Sequence, residues 1–139
     1  MGDPEILKPA FAMVALTFAV WVRMYYVRLR QIRRERIAPQ SVATSARAAA
    51  LLTDSRGSDN LRNLFELPVL FYAALLVALV TGLVTPVTLW LAWTFVVLRV
   101  LHSFVHCTYN RVLHRFALYV AGAMVLWILW AYLAWHQSW

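Results

Sequence analysis

The sequence predicts an all-α integral membrane protein, an up-and-down bundle of four transmembrane helices forming a single domain over residues 1–139. Three observations predict it. Of the 139 residues, 63% are apolar and only 14% are charged, more apolar material than a soluble core of that size needs. Four apolar stretches, residues 9–27, 64–84, 86–105 and 116–135, come close to the roughly 20 residues that carry a helix across hydrocarbon. Seven Trp, six Tyr and seven Phe supply the amphipathic rings that gather where helices meet headgroups.

The first span opens at Pro9, a residue tolerated in the first turn of a helix. No breaker follows until Pro39, so the stretch from Arg28 to Arg36 is expected to prolong this helix past the membrane. Residues 28–63 form the one long connection. Within it, residues 43–52 read as a short interfacial helix and residues 54–60 as turn-like. The second and third spans meet at Thr81-Gly82-Leu83-Val84-Thr85-Pro86, a tight-turn sequence. The fourth carries Trp127, Trp130 and Trp135, with Trp139 beyond it, and these read as anchors at the outer interface. A soluble helical core from the last two stretches is disfavoured, because they hold almost no polar face to present to water.

Thirteen basic and six acidic residues give a net charge of +7, which in a soluble protein would first suggest nucleic acid. Here Arg28, Arg30, Arg33, Arg34, Arg36, Arg47, Arg56 and Arg62 all lie in the first connection, where the positive-inside bias accounts for them. No nucleic-acid partner is expected. The third connection holds Arg111, His114 and Arg115, and the second has no charge, so connections one and three are expected to be cytoplasmic and both termini outside. Arg33, Arg34 and Arg36 read as a topological anchor attracted to anionic lipid headgroups. Asp3 and Glu5 before the first span, and Arg23 with the arginine run that follows it, argue against a cleavable signal peptide. These features fit a bacterial inner membrane. Cys107 is alone, cannot form an intramolecular disulfide and reads as a small apolar residue.

Ionisable groups inside hydrocarbon are costly and mark cavities or partners. Arg23, Glu66 and Arg99 lie well within the spans. His102 and His106 follow Arg99 by three and seven residues, on the same helical face. Because alternate spans run in opposite directions, Arg28 and Arg30, Asn63 and Glu66, Arg99 to His106, and Arg115 with Tyr119 all fall in or near the cytoplasmic half. The pattern predicts one positively charged pocket between helices. Arginine forks pair with carboxylates and Glu66 suits an ammonium, so the ligand it favours has several acidic groups and an amine. An arginine beside a ligand thiol would raise its thiolate fraction. No metal site is expected, and no protein nucleophile is needed, since neither Cys107 nor any serine has an identifiable neighbouring base.

Blander readings exist for the same residues. Glu66 and Arg99 could form a structural ion pair, and Arg23 could snorkel or pair with Glu66. His102 is expected as an interior histidine and His106 at the membrane boundary. Haem ligation by both is disfavoured, because residues one turn apart cannot take opposite axial positions of one haem.

Taken together, Val27-Arg28-Leu29-Arg30, Asn63-Leu64-Phe65-Glu66-Leu67-Pro68, Arg99-Val100-Leu101-His102, and Arg115 with Tyr119 resemble the membrane-associated proteins in eicosanoid and glutathione metabolism, the MAPEG family, over most of the chain. The resemblance implies a homotrimer that binds glutathione between subunits near the cytoplasmic face. It implies that Asn63 and Glu66 hold the amino-acid end of glutathione and that Arg28, Arg30 and Arg99 contact or brace its carboxylates. Arg115 is implied as the catalytic, thiolate-stabilising residue, with His102 and Tyr119 completing the site. The activity implied is that of a glutathione-dependent transferase or peroxidase acting on lipophilic electrophiles.

The chain also departs from the family pattern. His106 stands where many members have tyrosine, Phe116 follows Arg115 where the prostaglandin synthase branch has serine, and Asp59 falls where a family arginine often sits. The first two remove grounds for prostaglandin isomerisation, and the third weakens one glutathione contact. Two rival functions remain: a non-catalytic accessory subunit or lipid-binding scaffold of the same fold, within a larger membrane complex, and a small proton-coupled transporter using Glu66.

Overall fold

The computed structural model describes residues 3–137, so Trp139 lies outside the described residues. All regular structure among them is helical. After a 3-10 turn at Pro4–Ile6 come α1 (Leu7–Glu35), a 3-10 turn at Pro39–Val42, α2 (Ser45–Leu51), α3 (Arg56–Leu64), α4 (Leu67–Val80), α5 (Pro86–Cys107) and α6 (Val112–His136). Four helical stretches are long and apolar enough to cross a membrane: Pro4–Glu35, Arg56–Val80, Pro86–Cys107 and Val112–His136, with mean hydropathies of 1.6, 2.0, 1.5 and 2.0. The protein is a multi-pass membrane protein, and its outward apolar side chains, among them Phe18, Leu76, Trp90 and Trp135, contact lipid.

The core is apolar and built partly from small residues. Ala74, Ala78 and Ala92 are wholly buried, and small side chains let membrane helices approach closely. Phe71 of α4 stacks on Phe95 of α5 with ring centroids 4.5 Å apart. Met13 and Val20 of α1 and Leu126, Leu129 and Leu133 of α6 complete the same cluster. The most extensive pairing is α5 on α6, followed by α1 on α3.

The α4–α5 turn is encoded locally. Gly82 adopts φ 71°, a left-handed conformation that costs a glycine little. Leu83 N–H then donates to Ala78 O at 2.9 Å and Gly82 N–H to Leu79 O at 3.4 Å, closing the helix end with a Schellman pair. Thr85 caps α5 by accepting from Thr88 N–H at 3.2 Å, and its hydroxyl meets Tyr132 Oη of α6 at 3.1 Å.

The second span differs from the continuous helix expected over residues 64–84. It breaks at Phe65 and Glu66 and stops at Val80. Pro68 has no N–H, and its ring would clash with the carbonyl one turn back. It is accommodated in the first turn of α4. The stretch expected to be turn-like, residues 54–60, is also different: from Arg56 onward it is α3. Gly57 explains why this polar segment stays helical. A β-carbon there would come within 3.1 Å of the Met24 Cα of α1, so the absent side chain lets the helices touch. The rest of the long connection holds the end of α1, whose helix runs to Glu35, and the short α2.

Candidate functional site

The polar centre forms where α3, the C-terminal half of α5 and the first turns of α6 meet. A cleft of about 200 Å³ is lined by Asn63, His102, Val112, Arg115, Phe116 and Tyr119. Four of the eight expected site residues, Asn63, His102, Arg115 and Tyr119, therefore share one space. Its other wall is apolar, with Phe116 64% exposed.

Two histidines on one face of α5 hold Arg115. His102 Nδ1 lies 3.0 Å from Arg115 O; since a carbonyl only accepts, the proton sits on Nδ1 and Nε2 keeps its lone pair. His106 Nε2 lies 3.3 Å from Arg115 Nη1, and the same Nη1 donates to Asn110 Oδ1 at 2.9 Å. Asn110 reaches this position because it turns the chain between α5 and α6 at φ 48°, a conformation asparagine tolerates. His106, expected at the membrane boundary, stands one residue from the end of α5 and is buried at 1% exposure. It packs between His102 and Arg115.

Arg99 lies one layer behind the cleft. It is wholly buried, with Nη2 donating to Tyr119 O at 3.2 Å and its guanidinium carbon 5.0 Å from the Tyr119 ring centroid and 5.5 Å from that of Phe95. Nε and Nη1 have no partner among the described residues. Such face-on packing supplies cation–π attraction but does not neutralise the charge. Glu66 is exposed at the break before α4 and forms no ion pair with Arg99. The structural ion pair between them is therefore absent.

Arg28 and Arg30 are not brought to this cleft. Arg28 lines a separate polar depression with Gln31, Ser45, Asp59 and Arg62, and Arg30 is exposed beside Arg33 and Arg34.

Arg23 does not pair with Glu66: its guanidinium donates to Cys107 O at the end of α5. Arg56 donates to Thr108 O at 2.8 Å while its Nε and Nη2 each meet Asp54 at 2.9 Å. Both arginines thus satisfy carbonyls at the negative end of the α5 dipole. The Arg56 guanidinium holds the Asp54 carboxyl below its ordinary value.

Sequence reasoning missed Asn60, fully buried on α3. Its Nδ2 donates to Cys107 Sγ at 3.4 Å and its Oδ1 accepts from Ser103 Oγ at 3.3 Å. Cys107 is thus part of a polar contact between α3 and α5. Gly122 was missed as well; Arg99 fills the space where its β-carbon would be. Among the described residues no cluster of three or more His, Cys, Asp or Glu gathers to hold a metal ion.

Fold and site define a polytopic membrane protein with an arginine-bearing cleft open to an apolar wall. The MAPEG family model matches residues 6–135, nearly the whole chain. The chain belongs to the MAPEG family. No curated protein and no solved structure matches it.

Proposed function

We propose that the chain binds glutathione at this cleft and directs its thiolate at lipophilic electrophiles dissolved in the bilayer, as a membrane transferase or peroxidase. The observation that carries this reading is Arg115. Its guanidinium lines the cleft and touches only neutral acceptors, His106 and Asn110, so its charge is available to a sulfur anion. Val112 and Phe116, which line the same cleft from α6, offer the apolar partner a place.

In conjugation, the thiolate forms a carbon–sulfur bond and the leaving group departs with its electron pair. In peroxide reduction, the thiolate attacks the terminal oxygen, an alcohol leaves, and a second glutathione converts the sulfenic intermediate to disulfide and water. The chain supplies binding, orientation and positive charge in both.

The cleft volume supports a site shared between subunits. About 200 Å³ is less than the roughly 300–1,000 Å³ of pockets that enclose a drug-sized ligand. In the homotrimer that we propose, Arg28 and Arg30 of a neighbouring copy's α1 would supply the missing carboxylate contacts. Asn63 and Glu66 would hold the amino-acid end, with Arg99 bracing Tyr119 from behind. The Arg28–Arg36 end of α1 would lie on the cytoplasmic side of a bacterial inner membrane, with both termini outside.

Calorimetric titration of glutathione into the detergent-purified protein, with ultraviolet absorbance reporting thiolate, tests the proposal. Binding with a thiolate signal that Arg115→Ala abolishes supports it. Absence of binding at about millimolar glutathione, where even a weak site responds, favours the accessory or scaffold role. The helix break beside Glu66 is the observation favouring a transporter, since interrupted helices build transport sites. Substrate movement driven by a pH gradient in liposomes would support that rival.

A further inference from the structure

We infer that His106 and Asn110 are positioning residues for Arg115, and that His106 presents the Arg115 guanidinium to an anion only while its own imidazole is neutral. The anion's identity as a glutathione thiolate rests on the function proposed above; the positioning rests on geometry alone.

Arg115 Nη1 carries two hydrogens, and two acceptors meet it: Asn110 Oδ1 at 2.9 Å and His106 Nε2 at 3.3 Å. That nitrogen is saturated. Nε and Nη2 have no partner among the described residues and are not enclosed, on a side chain that lines the cleft. The Nε–Nη2 edge is one that pairs side-on with an anion. Both acceptors are uncharged, so they fix the orientation of the fork and leave its charge intact. A carboxylate in either place would quench it.

Accepting from a guanidinium requires a lone pair on His106 Nε2, which places the ring proton on Nδ1. Protonating Nε2 would replace attraction by an N–H aimed at a cation, and Arg115 would have to swing away. The charged and titratable groups facing His106 are Arg115 from α6, His102 from its own helix with ring centroids 5.7 Å apart, and Asp59 of α3, whose field reaches the ring.

The first test needs no ligand. Nitrogen-15 NMR of the histidine-labelled full chain, with His106 assigned from the signals lost in His106→Gln, reads the tautomer and titration of each ring. The expected result is a His106 that is unprotonated at Nε2 and whose signals and titration shift in Arg115→Ala. A His106 carrying its proton on Nε2, or one titrating identically in Arg115→Ala, would overturn the inference.

The second test follows bound thiolate against pH. In the wild type the signal should fall with a two-proton slope on acidification. In His106→Gln, which keeps an acceptor near the Nε2 position, it should fall with a one-proton slope. His106→Phe, which removes the acceptor, should weaken the thiolate-bound complex about tenfold. Wild-type signal and profile in His106→Phe would overturn the inference. The expected NMR coupling with no glutathione signal at any pH would leave the positioning in place and remove the glutathione reading.

Discussion

Arg99 Nη2 stands 2.8 Å from the point where a β-carbon on Gly122 would sit. The largest fully buried side chain of the fold thus depends on the smallest residue of α6. Gly122→Ala gains about 1 kcal/mol of helix propensity but forces the buried Arg99 guanidinium to shift, at a cost of about 1–3 kcal/mol. A net loss on the order of 1 kcal/mol is expected, larger for Gly122→Val, and thermal unfolding in detergent measures it. An unchanged midpoint for both variants would mean that the guanidinium relaxes into free space.

Arg99 itself separates stability from function. A buried charge without a carboxylate partner is often replaced by an apolar side chain of similar volume at no cost, or with a gain of about 1–4 kcal/mol. Arg99→Met should therefore hold or raise the unfolding temperature, whereas Arg99→Ala should lower stability by about 2–5 kcal/mol through the cavity left behind. Glutathione affinity in calorimetry should fall in both, because Tyr119 loses the group behind it. Wild-type affinity in Arg99→Met would confine Arg99 to packing.

Among the described residues Glu66 makes no ion pair, so Glu66→Gln should leave expression and elution on gel filtration unchanged. Affinity for glutathione should drop about tenfold, as for a lost charge-assisted contact. Loss of the folded protein would instead give Glu66 a structural partner.

Arg115→Lys keeps the charge and loses the planar fork. The expected consequence is thiolate binding weaker by about tenfold, with unfolding temperature little changed. Equal binding by Lys and Arg would mean that charge alone suffices.

Asp54 provides a pH dependence outside the spans. Its carboxyl is held below the ordinary 3.8 by the hydrogen bonds and charge of Arg56. A depressed folded-state pKa contributes stability that is fully present above the unfolded value and is lost as pH falls through the folded one. Acid unfolding should therefore include a loss beginning near 3.8 and continuing below it, and Asp54→Asn should lack that component. Identical acid profiles of the two proteins would remove the pair from the stability of the α5 end.

The four spans were legible because each shows in the sequence as an apolar run close to membrane length, although the second is broken at Phe65 and Glu66. The third illustrates this: its helix begins at the anticipated Pro86 and runs two residues past the anticipated end, to Cys107. Helix α3 was not legible. Gly57, Ser58, Asp59 and Asn60 are poor helix formers, and what holds them helical is the contact of Gly57 with Met24 and the bonds of Asn60 to Cys107 and Ser103. The partner of Arg23 was not legible, because a search for charge partners does not see a main-chain carbonyl 84 residues away. The gathering of Asn63, His102, Arg115 and Tyr119 followed from the direction of the spans. The retreat of Arg99 behind Tyr119 followed from ring packing, which spacing does not reveal.

The break at Phe65 and Glu66 makes the protein a gauge of membrane thickness. With 14 residues, α4 is about 21 Å long, short of the roughly 30 Å of a typical hydrocarbon layer. The remaining depth has to be covered by polar α3 or by local thinning of lipid, each costing fractions of a kcal/mol per Å of mismatch. A thicker bilayer presses on the junction that bears Asn63 and Glu66, and a thinner one relieves it. Acyl-chain length in reconstituted membranes is thereby expected to act on the cleft through this junction.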